Sequence, residues 1–164
     1  MTNNIWSHSG IHQETEVHNA IRFERSDGSI IPQNQSDTVA SSMTPSNAGG
    51  VTTVTADLTN AFSNNRNLVQ GWTRSLDLSG DVLRVTDACS VASGVQPIFQ
   101  LQVPAAPALQ QDGSIVAGNL RLVPLQPATF RFVAMDSSEF QQGYRIELTS
   151  TVGCVFDVEL HAGQ

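Results

Sequence analysis

From Val17 the chain alternates. Val17, Asn19, Ile21 and Phe23 fall on one face, and His18, Ala20, Arg22 and Glu24 on the other. A period of two is that of a half-buried strand. Asp27-Gly28 supplies a turn after it, and Pro32, following Ile30-Ile31, bars a central strand there. Thr52 to Leu58 alternates again, with Val54, Ala56 and Leu58 in phase. Trp72 to Leu78, the turn Ser79-Gly80-Asp81 and Val82 to Cys89 predict a hairpin. Val95 to Val103 predicts a strand with Val95, Phe99, Leu101 and Val103 aligned. Pro104, Pro107 and Asp112-Gly113 bracket a loop. Ser114 to Ala117, Leu120 to Leu125 and Thr129 to Ala134 predict shorter strands. Tyr144 to Ser150, the turn Thr151-Val152-Gly153 and Cys154 to Leu160 predict a second hairpin, with Tyr144, Ile146 and Leu148 matching Cys154, Phe156, Val158 and Leu160 in parity.

No stretch holds a helical period over two turns. The polar connection from Ala61 to Gly71 has room only for a short helical turn. Many short strands joined by turns predict an all-β chain, an antiparallel β-sandwich with little or no helix. Residues 1–16 read as a polar lead-in. Residues 17–164 read as one sandwich domain, long enough to hold its own core. Within it, residues 33–50 are rich in Gln, Ser, Asn, Thr and Gly. They predict a long polar loop, a weak edge strand or a hinge.

Charge narrows the partners. The formal net charge is −7 and the pI near 4.8. That disfavours nucleic acid and anionic membrane surfaces. No apolar run approaches the ~20 residues that span a bilayer. The N-terminus lacks the charged-then-apolar layout of a signal peptide. There is no lysine, so all eight formal cations are arginines, the side chain suited to bidentate recognition of carboxylate or sulfate. Cys89 and Cys154 fit either one disulfide or two reduced, buried thiols.

Few residues offer chemistry. The lone Tyr144 shares parity with Ile146 and Leu148, which makes it a core or sheet-face residue. Asp57 and Asp87 end alternating strands. As a pair they could act as acid and base, but as strand-end residues they serve as turn acceptors. Arg22, Arg74, Arg84, Arg121, Arg131 and Arg145 alternate with apolar residues, as solvent-face partners of Asp and Glu do. Two or three of them clustered on one sheet face could grip a glycan carboxylate. Trp72 is in phase with Leu76 and Leu78 and is expected in the core. Trp6 is the better candidate for an exposed aromatic. His8, His12 and Glu14 are close in sequence, but their spacing is not a ligand pattern. The chain lacks a phosphate-binding glycine loop, a Gly-x-Ser-x-Gly elbow, Cys-x-x-Cys and His-Glu-x-x-His.

Three segments in fixed order carry a resemblance. They are Val17-His18-Asn19-Ala20-Ile21, then Val54-Thr55-Ala56-Asp57-Leu58-Thr59-Asn60-Ala61-Phe62, then Trp72-Thr73-Arg74-Ser75-Leu76-Asp77-Leu78 running on to Val85-Thr86-Asp87. Their order and spacing, over roughly residues 5–160, resemble the C-terminal β-rich half of the heparinase II/III-like polysaccharide lyases. There an "HN" strand precedes an "(A)DLT-A-(Y/F)" strand and an arginine-bearing strand ending in Asp.

The resemblance implies a supersandwich-like fold that packs on an upstream α/α toroid, lines the cleft for an acidic polysaccharide and is not itself catalytic. The family's catalytic Tyr, His and Glu lie mostly on that toroid, so no catalytic residue is expected here. His18 is the one position that maps onto a family site, as a ligand of a structural zinc in the full-length enzyme. The other zinc ligands lie in earlier strands, so no cofactor is expected for this chain alone. Asn19 is implied to tie backbone across strands. On this view the chain is a fragment, a truncated homologue or an excised domain of a periplasmic or secreted enzyme. The stretch Ala20 to Gly28 departs from the family, where a shorter apolar strand leads to Asn/Asp-Gly. A rival reading is a free-standing β-sandwich that binds glycan or protein without catalysis.

Overall fold

The computed structural model of the chain describes Thr15 and residues 18–34, 42–135 and 143–163. Among the described residues, twelve strands form two antiparallel sheets. One has four strands in the order β1 (Ile21–Glu24), β6 (Gln96–Val103), β11 (Tyr144–Ser150) and β10 (Ala128–Ala134). The other has eight, in the order β2 (Ser42–Ala48), β3 (Val51–Asp57), β4 (Val69–Ser79), β5 (Val82–Val91), β12 (Val155–Ala162), β9 (Leu120–Pro124), β8 (Ile115–Ala117) and β7 (Ala108–Leu109). The sheets stack as a sandwich, as the alternation predicts.

Strand parity explains the core. Ile21, Phe23, Phe99, Leu101, Ile146 and Leu148 point inward from the small sheet. Trp72, Val85, Leu122, Phe156 and Val158 meet them from the large one. A 3-10 turn at Thr59–Asn65 adds buried Phe62. The Phe62 ring packs edge-on to Phe23, with centroids 5.0 Å apart, and Trp72 lies 5.9 Å from Phe23. Such aromatic pairs add about 0.5–1.5 kcal/mol each beyond the area they bury.

The predicted hairpin at the C-terminus is corrected. β11 pairs with β6 and β10, whereas β12 pairs with β5 and β9. The connection after Ser150 therefore crosses from one sheet to the other. Thr151 anchors it by donating its N–H to the Pro127 carbonyl at 3.2 Å. Matching parity in β11 and β12 reflects two inward faces meeting across the core, not two neighbours in one sheet. The Phe99 and Phe156 rings make one such meeting, 6.0 Å apart.

Cys154, at the entry to β12, forms a disulfide with Cys89 on β5. The Cα atoms lie 5.2 Å apart, inside the range a disulfide accepts. The Cys154 carbonyl also accepts the Cys89 N–H at 2.9 Å.

Boundaries shift elsewhere. β1 starts at Ile21, after a bend over residues 18–20 in which the His18 carbonyl accepts the Ala20 N–H. Val17 lies outside the described residues. Within the predicted polar stretch 33–50, β2 is an edge strand with all seven residues exposed. Pro45 sits in its middle, a residue that sheets tolerate at their edges. β4 starts at Val69, ahead of the predicted Trp72, with a register shift between Val69 and Gly71.

Candidate functional site

The three segments of the resemblance meet at Arg74. Arg74 and Asp87 are direct cross-strand partners on β4 and β5. The guanidinium grips the carboxylate at both oxygens, Nε to Oδ1 at 2.9 Å and Nη2 to Oδ2 at 2.7 Å. The Trp72 indole N–H donates to the same Oδ1 at 2.7 Å. The third arm of Arg74, Nη1, donates to the Asn19 carbonyl at 2.7 Å. Asn19 Oδ1 in turn accepts the Gln102 backbone N–H at 2.8 Å, tying the segment before β1 to β6.

The second segment joins through Thr59. Its hydroxyl accepts the Trp72 N–H at 3.0 Å and donates to Asp57 Oδ1 at 2.5 Å. The Thr59 N–H donates to the same Asp57 oxygen at 3.0 Å. These bonds hold the Asp57 carboxyl below its ordinary range. Asp57 is thus a turn acceptor. Asp87 is a fully buried partner of Arg74 and Trp72, with its acceptor capacity engaged. Neither is placed for acid–base work. The cluster is a tie between the sheets.

His18 is exposed. Its backbone is held: the N–H donates to the Thr15 carbonyl at 3.1 Å, and its own carbonyl accepts Gln100 Nε2 at 2.8 Å. Among the described residues no group of three or more His, Cys, Asp or Glu is gathered for a metal ion. Trp6, His8, His12 and Glu14 lie outside the described residues. Trp72 is a core residue, and Tyr144 packs half-buried against the core at the start of β11.

The six alternating arginines all pair with acids. Arg84 takes Asp157, and Arg121 takes Asp112. The other three converge on one residue that sequence inspection did not single out, Glu147. Arg22 Nη1 and Arg145 Nε donate to its Oε1 at 3.0 and 2.7 Å. Arg131 Nε donates to Oε2 at 2.6 Å. Arg22 also holds Glu24 at 2.8 Å and the Gln100 side-chain carbonyl at 3.0 Å. Gln100 donates onward to the carbonyls of Thr15 and His18.

The expectation that Arg22 faces solvent is corrected, because it is 1% exposed. Its strand points it outward from the core, but Thr15, His18 and Ala20 are bonded to Gln100 across that side of the sheet. Burial pushes the Glu147 carboxyl up. Hydrogen bonds from Arg22, Arg145 and Arg131 outweigh it and hold the group below its ordinary range. The available signal was the shared parity of Arg145 and Glu147. Pairing of Glu147 with Arg131 and Gln100 depends on strand register, which a single chain does not display.

Above this network lies a groove of about 220 Å³ on the outer face of the four-stranded sheet. All four strands contribute. Glu24 comes from β1, Gln96 and Ile98 from β6, Glu147 and Thr149 from β11, and Thr129, Phe130 and Arg131 from β10. Hydroxyl, amide, carboxylate and guanidinium groups thus share one concave surface with buried Ile98 beneath them, while Phe130, the register partner of Leu148, turns its ring to the core side of the sheet. Acid–base hydrolysis by Glu24 and Glu147 is disfavoured. A general acid needs a raised pKa, and Glu147 is shifted the other way. No protein-family model matches this sequence, and no curated protein matches it.

Proposed function

We propose that this chain is a non-catalytic β-sandwich module that binds glycan in the groove on its four-stranded sheet. One observation carries this reading. The groove gathers hydrogen-bond donors and acceptors from all four strands on one concave surface, and the charged groups there are held in ion pairs. That arrangement orients a ligand and moves no proton. The Cys89–Cys154 disulfide supports work in an oxidising compartment, where such bonds persist.

Affinity gel electrophoresis in gels containing soluble polysaccharides tests it. Retardation in at least one gel, with no unsaturated uronide formed, is expected. Retardation in none, or lyase product from the purified chain, overturns the proposal.

A second reading places the module at the C-terminal side of a heparinase II/III-like lyase, packed on a toroid. What favours it is the convergence of the three motif segments on Arg74, since residues that act together in a fold tend to recur in a fixed order. The DNA 5′ of Met1 tests this reading. A continuous helical reading frame supports it, and an unrelated gene there removes it.

A further inference from the structure

We infer that the groove is built for a neutral saccharide and not for an acidic one, a step that rests on the glycan-binding reading above. Among the described residues the cluster holds three guanidinium groups, on Arg22, Arg131 and Arg145, with the two carboxylates of Glu24 and Glu147. These guanidinium groups are not offered to a ligand. Arg22 and Arg145 have side chains only 2% and 13% exposed, and neither lines the groove.

Arg131 does line it, with its side chain 66% exposed. Both Nε and Nη2 already lie 2.6 Å from Glu147 Oε2. A uronate or sulfate seeking a bidentate grip would have to displace Glu147 from it, leaving a nearly buried carboxylate short of a partner. It would also enter beside the carboxylate of Glu24, on a chain of net charge −7.

The remaining capacity suits hydroxyls. Glu24 Oε1 is engaged by Arg22, which leaves Oε2 to accept. Arg131 keeps Nη1 to donate. The Thr129 and Thr149 hydroxyls and the Gln96 amide both donate and accept, and among the described residues none of the three has a side-chain partner. Vicinal hydroxyls, each a donor and an acceptor, match this alternating set. The volume sits below the ~300–1,000 Å³ of drug-sized sites, which fits one or two sugar units with the chain leaving through the open ends.

The test compares gels containing neutral polymers (laminarin, galactomannan, xyloglucan) with gels containing acidic ones (heparin, alginate, polygalacturonate), each at low and high salt. Retardation by a neutral polymer is expected, unchanged by salt. Thr129→Val and Thr149→Val should each weaken it about tenfold, the effect of one lost hydrogen bond to ligand. Both are near-isosteric changes on the solvent face of a sheet, and a circular dichroism spectrum identical to the parent's checks that they fold. Retardation by acidic polymers alone, abolished by salt, overturns the neutral-ligand inference and leaves glycan binding standing. Neutral binding untouched by both valine variants also overturns it, because the ligand would then sit elsewhere. Retardation in no gel overturns the inference together with the reading beneath it.

Discussion

Arg74 and Asp87 face each other across β4 and β5 and bind through two parallel hydrogen bonds of 2.9 and 2.7 Å, with Asp87 fully buried. Removing one partner of such a pair strands the other charge in a medium that solvates it poorly. Asp87→Ala should therefore cost about 3–5 kcal/mol of stability, measured by guanidinium denaturation. Asp87 also accepts the Trp72 indole, so the same variant should change tryptophan fluorescence in the native state. The double change of Arg74→Met with Asp87→Leu should recover much of the loss, because it removes the stranded charge. Equal instability of the single and double variants would show that the pair's geometry, and not its charge, holds the sheets.

The disulfide closes a long loop. Cys89 and Cys154 are separated by 65 residues. Loop-closure entropy for that length gives about 4 kcal/mol of stabilisation. Reductant, or Cys89→Ser with Cys154→Ser, should lower the denaturation midpoint accordingly. A midpoint unmoved by reductant would mean that the bridge does not form.

Acid should weaken the fold through Glu147. Its carboxyl is held below the ordinary glutamate value of 4.5 in the folded chain. A depressed folded pKa stabilises fully above the unfolded value, and the contribution fades as pH falls through the folded one. Asp157, lowered by hydrogen bonds from Arg84, acts in the same direction. Stability should hold at neutral pH and fall below about pH 4.5. Glu147→Gln should lose about 3 kcal/mol at neutral pH and show a flatter acid limb. A Glu147→Gln acid limb as steep as the parent's would assign acid sensitivity to other groups.

Zinc should bind the chain weakly and without fixed stoichiometry. His18 is exposed, and no other ligand group is gathered with it among the described residues. One or two donors do not offset the dehydration of the ion. His18→Ala should leave the zinc isotherm unchanged. Tight one-to-one binding lost in His18→Ala would reveal a local site.

Most of the sandwich was legible because strand period and turn residues are local signals. The β4–β5 hairpin shows this, with Ser79-Gly80-Asp81 between two clear alternations. The crossing from β11 to β12 was not legible. Alternation assigns Ile146 and Phe156 inward faces, yet both a hairpin and a crossover satisfy that parity. What separates them is the lateral partner, and β5 and β6 lie far away in sequence. The site was hidden for the same reason. Arg131, Glu147, Gln100 and Arg22 belong to four different strands that only register aligns. Trp72 was legible as core from its phase with Leu76. Its bond to Asp87 was not, because cross-strand neighbours are set by where the hairpin turns.

The central claim is that glycan binds on the outer face of the four-stranded sheet. Amide chemical-shift mapping by NMR, titrating a neutral oligosaccharide into the labelled chain, tests it most directly. The account predicts saturable shifts centred on Gln96, Ile98, Thr129, Arg131, Glu147 and Thr149, with β2 and β3 of the other sheet unmoved. Saturable shifts centred on the large sheet, or none from any oligosaccharide, would contradict it.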